Sequence, residues 1–305
     1  MNRIVEVSER GTEIRLDGGR LRITPTDHAS EFVPLCDIAA LVLSERAVSL
    51  SAACLAELAD AGILTVLCDK CHTPVAIVQP FCVKSDQTRI MQAQVDASLP
   101  VRKQLWRALV RRKLFNQAAV LDRCRSGGGE LRRLAECVRS GDADNAEGVG
   151  ARIYWRELGL FRTRDRLAPD ANRLFNYAYM VLLSMTGQAV CATGLHPAFG
   201  VHHVNGRNAF CLASDLMEAF RIVADDAVLS WLATRPGTTE VTPAAKRFLV
   251  GRMMCARLES HDSSVGLSDA LGVSSRSLRE SFVSGEFRLR LPSFTFEAKE
   301  VAACG

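Results

Sequence analysis

The first eighty or so residues carry the hydrophobic pattern of β-strands. Residues 12–24, TEIRLDGGRLRIT, alternate polar and apolar positions around an Asp-Gly-Gly turn, which predicts a β-hairpin. Three short apolar runs predict buried strands, at residues 37–44, 62–69 and 74–81. Residues 51–62 between them predict a short helix that ends at Gly62. The pattern therefore predicts an N-terminal β-rich sheet domain over residues 1–83.

After this domain, apolar positions recur at spacings of three and four, which indicates helices. Pro100 divides the first long helical stretch into two helices, because proline lacks the amide hydrogen and clashes with the preceding turn. The glycine-rich stretches at 126–130 and 139–148 are connectors, since helical patterns resume on both sides of each. We predict an α+β chain in which a larger all-α domain, residues 84–305, carries the functional site.

Composition is typical of a folded globular protein. The chain has 305 residues, of which 48% are apolar and 24% charged, so it is long enough to bury a large core. No apolar run approaches the roughly 20 residues that cross a bilayer, and the first residues lack the apolar core of a signal peptide. We expect a cytoplasmic protein without a membrane partner. Most of the eleven cysteines lie in apolar runs, where we expect reduced core residues.

Two carboxylates follow two histidines in the segment GVHHVNGRNAFCLASDLMEAFR, residues 200–221. Read as one helix over 211–223, this segment places Asp215 and Glu218 half-buried at the border of an apolar stripe. A buried carboxylate needs a cation, hydrogen bonds or a metal ion, because burial of an unpaired charge is costly. An ordinary salt bridge between Glu218 and Arg221, three residues later, is an alternative explanation.

Upstream residues supply further candidate ligands. His202 and His203 precede the carboxylates, although a histidine is more often a satisfied polar residue than a ligand. Glu147 follows a potential helix cap, Asn145, and points along an apolar face; the helix dipole alone would also favour a glutamate there. Two or three carboxylates with one imidazole suit Mg²⁺ or Mn²⁺ better than zinc. Such an ion serves phosphodiester chemistry.

Basic residues are concentrated early in the helical half. Between Arg102 and Arg133 there are ten Lys or Arg residues, against Asp122 and Glu130 alone. A polyanionic partner and a solvated helix face both explain such a run. Six of these residues lie along one helical segment: Arg102, Lys103, Arg107, Arg111, Arg112 and Lys113.

Three segments together resemble a known family: NAEGVGARIYW (145–155), NRLFNYAYMVLLSM (172–185) and residues 200–221. They are similar to the integrase of CRISPR adaptation, the first-numbered CRISPR-associated protein. The form found beside the single large RNA-guided nuclease of type II systems is the most similar. The resemblance extends over nearly the whole chain and includes VLCDKCHTPVAIVQPF (66–81). Ala219 and Ile222 depart from it, since family members often have proline there.

The resemblance implies a ligand set and a reaction. Glu147, His203 and Glu218 match the family's metal ligands, and Asp215 matches a neighbouring acid, so these four are the candidate catalytic residues. His202 matches no fixed ligand. The implied activity is that of a metal-dependent DNA integrase and endonuclease, with Mg²⁺ or Mn²⁺ as cofactor. It inserts short DNA duplexes into a CRISPR array when a 3′-hydroxyl attacks a repeat phosphodiester.

The same resemblance implies the partners. They are double-stranded DNA as prespacer and repeat, a second copy of the chain joined through the β domain, and the small second-numbered adaptation protein. The large RNA-guided nuclease of type II systems is a further candidate. The six basic residues listed above would then neutralise phosphates of the DNA backbone without reading bases.

Other interpretations of the sequence remain open. A standalone endonuclease acting on branched DNA would use the same site. Residues 267–282, LSDALGVSSRSLRESF, are similar to the helix-turn-helix of DNA-binding regulators, with Ser274, Ser275, Arg276 and Arg279 as the reading residues. The string CDKCH at 68–72 also spells a haem attachment site or half of a zinc site, but haem attachment needs export and no second cysteine pair completes a zinc site.

Overall fold

The structure, a computed structural model, describes residues 3–69, 74–78, 86–124, 127–160, 168, 170–260 and 263–294. Its β-strands are β1 (Arg3–Val7), β2 (Glu13–Asp17), β3 (Arg20–Thr24), β4 (Glu31–Pro34), β5 (Ile38–Leu43), β6 (Ser49–Leu50), β7 (Leu64–Cys68), β8 (Pro74–Val78), β9 (Arg257–Ser260), β10 (Ser263–Gly266) and β11 (Ser293–Phe294). Its α-helices are α1 (Ala52–Asp60), α2 (Gln87–Val95), α3 (Leu99–Arg123), α4 (Gly129–Cys137), α5 (Ala146–Leu158), α6 (Asn172–Ala192), α7 (Cys211–Met217), α8 (Arg221–Thr234), α9 (Pro243–Cys255) and α10 (Leu267–Ser284).

The N-terminal strands form two sheets. One has the order β1-β5-β7-β8 and is parallel except for its edge strand β8. The other has the order β4-β3-β2-β6 and contains the predicted hairpin, β2 and β3. Gly18 and Gly19 make its turn with φ values of 57° and 77°, which glycine adopts without steric cost. The predicted α+β fold, with a β-rich part followed by a largely helical part, is confirmed.

The first sheet packs against the helices. Val42, Leu64 and Val66 belong to the same buried cluster as Leu105 of α3 and Phe175 of α6. Residues between the two sheets and α1 form a separate, smaller core: Ile14, Leu21, Leu41, Leu58 and Ile63 are among its members. The helical half therefore covers one face of the first sheet, and the other face shares the smaller core with the second sheet.

Helix α3 begins where the proline pattern indicated. Pro100 lies in its first turn, where the missing amide hydrogen removes no helical hydrogen bond. The preceding helix α2 ends at Val95, so the predicted division into two helices is confirmed. Helix α3 then runs for 25 residues and packs against α4, α5 and α8.

The single helix expected over 211–223 is wrong. Helix α7 ends at Met217, a 3-10 turn occupies Glu218–Phe220, and α8 begins at Arg221. The side chain of Asn116 on α3 donates a 2.8 Å hydrogen bond to the carbonyl oxygen of Ala219 within this turn. A tertiary partner therefore satisfies a carbonyl at the interruption.

The helix-turn-helix interpretation is also wrong. Helix α10 continues without a turn through residues 267–284. Ser274 and Ser275 are fully buried, and the Ser274 hydroxyl donates to the carbonyl oxygen of Arg290, 2.8 Å away. Two of the four supposed reading residues therefore face the core.

The structure bears differently on the expectations about the cysteines, the CDKCH string and membrane-spanning helices. Every cysteine that the structure describes is a free thiol, but Cys36, Cys137 and Cys255 are exposed rather than in the core. The CDKCH string lies partly outside the described residues, because Lys70 to His72 are not among them. Within the described part of the chain, no helix is both long enough and apolar enough to span a bilayer.

Candidate active site

Asp215 organises the histidine-bearing turn. Its Oδ2 atom accepts a 2.8 Å hydrogen bond from the backbone amide of His202, and its carboxylate also receives the amide of His203 at 3.3 Å. The Nδ1 atom of His203 contacts Asp215 Oδ1. A carboxylate on Nδ1 fixes the proton there and leaves Nε2 for a ligand. Asp215 thus positions His203, and both carboxylate oxygens of Asp215 accept hydrogen bonds from this turn.

The turn fits only if Gly200 has no side chain. A Cβ atom at this position would lie 2.4 Å from the carbonyl oxygen of His203 and 2.9 Å from Asp215 Oδ2. Arg102 of α3 holds the same turn from the other side, because its guanidinium donates to the carbonyl oxygens of Gly200 and Val201, each at 3.2 Å. Helices α3 and α7 therefore fix the position of His203 together, through Arg102 and Asp215.

Glu147 lies in the first turn of α5, which two side chains cap. Asn145 has a left-handed backbone, with φ of 54°, and its side chain accepts the amide of Gly148 at 3.2 Å, as the sequence indicated. Asp142 accepts the amides of Ala146 and Glu147, at 2.7 and 3.0 Å. This double cap leaves the Glu147 side chain pointing towards α3, with 29% of it exposed.

Lys113 of α3 joins the two candidate glutamates. Its ammonium group contacts Glu147 Oε1 and lies 2.6 Å from Glu218 Oε2. Lys113 and Glu218 are both buried, with 5% and 6% of their side chains exposed. The structure therefore brings together the carboxylates of residues 71 positions apart, separated by one ammonium group.

Arg221 is the second cation at Glu218. Its guanidinium pairs with Glu218 Oε1 at 2.7 Å and lies over the ring of Tyr179, 4.6 Å from the ring centre. Burial opposes ionisation of Glu218, but Arg221 and then Lys113 outweigh it, and its pKa is lowered to about 2. The salt bridge that the sequence allowed is present, but it is buried and not on the surface. Glu218 is therefore a carboxylate anion.

The pKa of His203 is raised. The hydrogen bond that His203 donates to Asp215 is the main cause; burial opposes it, and the negative charges of Asp215, Glu218 and Glu147 add to the increase. These influences indicate that His203 and the two glutamates share one electrostatic environment. The three sequence-predicted ligands therefore lie in one region of the molecule.

The donor set fits a hard divalent cation. Glu218 Oε2 is buried and receives no hydrogen bond of normal geometry within the described residues, although the positive charge of Lys113 stands beside it. Two carboxylate oxygens facing one cationic centre, with an imidazole nearby, are ligands that Mg²⁺ and Mn²⁺ accept. Across the described ranges, no three His, Cys, Asp or Glu side chains already stand together as a metal-binding group. Lys113 is the cation between the two glutamates.

The six basic residues differ in their surroundings. Lys103 and Arg107 are exposed, and Arg107 also donates to the carbonyl oxygen of Val138 at 2.8 Å. Arg102 and Arg111 are half-buried and bonded to backbone carbonyls, and Arg112 is half-buried with a pKa lowered by burial and then by Arg111. Lys113 departs from the expectation, because a buried ammonium held by two carboxylates presents no free charge to a DNA backbone.

Trp106 and His202 form a pair that the sequence did not reveal. Their rings stack in parallel, 4.3 Å apart, and His203 meets the same indole edge-on at 5.5 Å. Trp106 is buried within the basic stretch of α3. In the sequence, this stacked pair is signalled only by a tryptophan among cationic residues. That signal does not identify a histidine 96 positions later as its partner.

Comparisons with known proteins relate this chain to one family. The family model for CRISPR associated protein Cas1 matches residues 5–241. The CRISPR-associated endonuclease Cas1 of Neisseria meningitidis serogroup C is 34% identical over 225 residues, which cover 72% of this chain and 73% of the relative. Among solved structures, a casposase bound to an integration product has a TM-score of 0.80 at 20% identity and covers 98% of this chain and 95% of its own. A chain of a Cas6-RT-Cas1–Cas2 complex has a TM-score of 0.76 at 16% identity. The match covers 97% of this chain and 36% of the chain in the complex.

Proposed function

This chain belongs to the Cas1 family of CRISPR-associated proteins, the spacer integrases and endonucleases of CRISPR adaptation, and on that premise we propose that Glu147, His203 and Glu218 are its active site. The observation that carries the proposal is the contact of both glutamates with one buried ammonium group. A position that already holds a positive charge between two carboxylates, near an imidazole, is suited to a divalent cation. Asp215 is then a positioning residue and not a ligand.

Cas1 proteins are typically metal-dependent, and the finer proposal is that this one uses Mg²⁺ or Mn²⁺. Glu147, His203 and Glu218 would hold such an ion, which would supply Lewis acidity to lower the pKa of a hydroxyl nucleophile and to offset charge on the phosphate. Other contacts within the chain orient these three residues. Asp215 fixes the His203 tautomer, and Arg221 keeps Glu218 ionised and in place. The capped start of α5 orients Glu147.

We propose that the exposed side of α3 contacts the phosphate backbone of DNA. Five of the six predicted basic residues contribute to this surface: Arg102, Lys103, Arg107, Arg111 and Arg112. Arg102 links this surface to the active site, because it also holds the turn that carries His203. The proposed role of Lys113 is in the active site instead.

The partners and the system are proposed from the similar proteins. One structural neighbour is described as bound to an integration product and another as part of a complex with Cas2. We propose prespacer and repeat DNA, the second adaptation protein, and a second copy of this chain joined through residues 1–83 as partners. Residues 84–305 form the catalytic domain in this proposal. A type II system, with its large nuclease as a further partner, and a cytoplasmic location are proposed with it.

Strand transfer tests the proposed active site. A labelled prespacer is incubated with a repeat-bearing plasmid, the second adaptation protein and Mn²⁺, and the joined product is quantified. Glu147→Gln and His203→Ala should each reduce joining by at least about a hundredfold, because each removes a group on which transition-state stabilisation depends. Asp60→Asn on the exposed end of α1 is the matched charge-removing control. Joining that persists in both site variants would refute this assignment.

A structure-selective endonuclease on branched DNA is the alternative that the same site allows. It predicts cleavage of four-way junctions without the second adaptation protein, at a rate that exceeds strand transfer. If junction cleavage depends on Glu147 and strand transfer is absent under all conditions, this alternative replaces the integrase assignment for this chain.

A further inference from the structure

The two glutamates of the active-site cluster are paired with two cations of the chain itself. Glu147 and Glu218 supply two negative charges, and Lys113 and Arg221 supply two positive ones. Buried carboxylates that lack a nearby cation are strongly disfavoured, so this pairing stabilises the cluster. A divalent cation placed between the same carboxylates, with Lys113 still there, would stand directly beside the positive charge of the ammonium group.

Lys113 and the ion would also compete for the same atoms. The ammonium nitrogen lies 2.6 Å from Glu218 Oε2 and contacts Glu147 Oε1. Oxygen ligands bind Mg²⁺ at about 2.0–2.1 Å, so an ion that binds both oxygens must take up the space of the ammonium group. Lysine is suited to leaving, because its charge sits at the end of a flexible four-carbon stem. Arg221 is less suited to it, because its guanidinium is also held over the ring of Tyr179.

We propose that Lys113 is a resident counter-ion of the metal site, which takes the place of the divalent cation between Glu147 and Glu218 and is displaced when the ion binds. This inference rests on the metal site proposed above and adds a residue that sets its affinity. Every ion that binds must first break the contacts of Lys113, and the cost of breaking them weakens binding. Lys113 also keeps the two glutamates together until an ion arrives.

Helix α3 offers a matched control for this role. Arg123 lies ten residues after Lys113, about 15 Å further along the helix axis, and its guanidinium forms a buried ion pair with Asp226. Removal of either cation leaves a buried carboxylate with one cation instead of two, because Asp226 keeps Arg252 and Glu218 keeps Arg221. Both substitutions should therefore destabilise the protein. Only Lys113 stands between the proposed metal ligands.

The test measures Mn²⁺ binding and stability in the full chain after chelator treatment. Electron paramagnetic resonance of free Mn²⁺ gives the affinity of the wild type and of Lys113→Met, Lys113→Arg and Arg123→Met, and thermal melts are recorded with and without Mn²⁺. Lys113→Met should bind Mn²⁺ at least about tenfold more tightly than the wild type, within the usual range for coupled equilibria. It should melt lower without Mn²⁺ and show a larger rise on its addition than the wild type.

The control variants separate the proposal from simple loss of stability. Lys113→Arg keeps the charge and should bind Mn²⁺ no more tightly than the wild type. Arg123→Met should melt lower but bind Mn²⁺ as the wild type does. A Lys113→Met protein that folds only with Mn²⁺ present supports the proposal, whereas one that is unfolded with and without the ion contradicts it.

The remaining outcomes distinguish this inference from the proposed function. Equal Mn²⁺ affinities in the wild type and Lys113→Met would overturn the role of Lys113 and leave the metal site standing. Absence of Mn²⁺ binding in both proteins would overturn the metal site itself, and the inference with it.

Discussion

Asp225 is a single buried residue that supports the proposed site through its contacts with two tyrosines. It is buried in α8, and its two carboxylate oxygens accept from the hydroxyl groups of Tyr154 and Tyr179, the first at 3.0 Å. Tyr179 in turn lies under Arg221, which pairs with Glu218. The pKa of Tyr154 is raised, chiefly by burial and then by the negative charge of Asp225. The Tyr154 phenol is therefore a neutral donor, and the chain of contacts extends from the core to the proposed active site.

Substitution of Asp225 by alanine should therefore destabilise the protein. Each buried tyrosine hydroxyl that loses this acceptor costs about 1–3 kcal/mol. Urea unfolding followed by circular dichroism measures the change. Asp60→Ala, at an exposed position, should change the free energy of unfolding by less than about 0.5 kcal/mol. An Asp225→Ala protein as stable as this control would contradict the role of the network.

The cysteines allow a test of pH dependence at the same scale. Burial raises the pKa of Cys191 to about 12, and burial followed by the charges of Glu6 and Asp69 raises that of Cys68 to about 11. An exposed thiol titrates near 8.5, and only the thiolate is reactive. At pH 8.5, iodoacetamide should modify Cys137 and Cys255 within minutes but leave Cys68 and Cys191 unmodified.

Mass spectrometry of tryptic peptides gives the extent of labelling at each thiol. An increase from pH 7.5 to 9.5 should speed labelling at Cys137 and Cys255 but not at Cys68 and Cys191, because their raised pKa values keep the last two protonated throughout. The same experiment in 6 M guanidinium is the control, and all sites should react there. Labelling of native Cys191 at the rate of Cys137 would refute the burial.

At the scale of elements, the turn at residues 200–203 depends on glycine rather than on helix or strand propensity. Its backbone is tied to Asp215 of α7 on one side and to Arg102 of α3 on the other. The space at Gly200 is filled by the His203 carbonyl and the Asp215 carboxylate. His203 is thus positioned by two helices. Sequence patterns predict each helix, but they do not predict that the two helices meet at this turn.

Gly200→Ala should displace this turn, since its new methyl group would lie 2.4 Å from a backbone oxygen. A shift of about 1 Å at a reacting group costs on the order of a hundredfold in rate, so strand transfer should fall by that factor. Gly251→Ala in α9 is the matched control, because nothing lies within 4 Å of its Cβ position. It should raise stability by about 0.5–1 kcal/mol through helix propensity and leave strand transfer unchanged.

At the scale of the whole molecule, a polar contact joins the first sheet to the helices. Glu6 of β1 accepts a 2.8 Å hydrogen bond from Lys246 of α9 and one from the hydroxyl of Tyr177 of α6. Ser44, at the end of β5, donates to the same carboxylate at 2.6 Å. Together with the shared apolar cluster, this contact fixes the sheet against the helical half.

The charge distribution over the whole molecule predicts the salt dependence of DNA binding. Lys103 and Arg107 are the exposed cations on α3, so their joint replacement by alanine should reduce the slope of log K against log salt concentration by about 1–2, close to 0.9 for each lost phosphate contact. Fluorescence anisotropy with a labelled duplex measures the slope between low and moderate salt. Arg15→Ala on β2, also exposed, should leave it unchanged. An unaltered slope in the α3 variant would place the DNA surface elsewhere.

The amino-acid sequence by itself determined several local elements, and its resemblance to a family indicated the candidate ligands. Alternation around Gly18 and Gly19 predicted the hairpin, Pro100 predicted the start of α3, and Asn145 predicted the cap of α5, because each of these depends on neighbours in the chain. The motifs around Glu147, His203 and Glu218 were sufficient to indicate the family.

Only the tertiary structure decided how these residues meet. The contact of Lys113 with both glutamates joins α3, α5 and the turn after α7, and no periodicity in the chain encodes such a distant pairing. The same holds for the interruption of the helix at Glu218, where the side-chain amide of Asn116 on α3 donates to the carbonyl oxygen of Ala219. Patterns in sequence report the face that a residue shares with its near neighbours, whereas burial and charge pairing depend on which helices pack together. Lys113, which the sequence predicted as a DNA-binding residue, therefore lies between the two candidate glutamates.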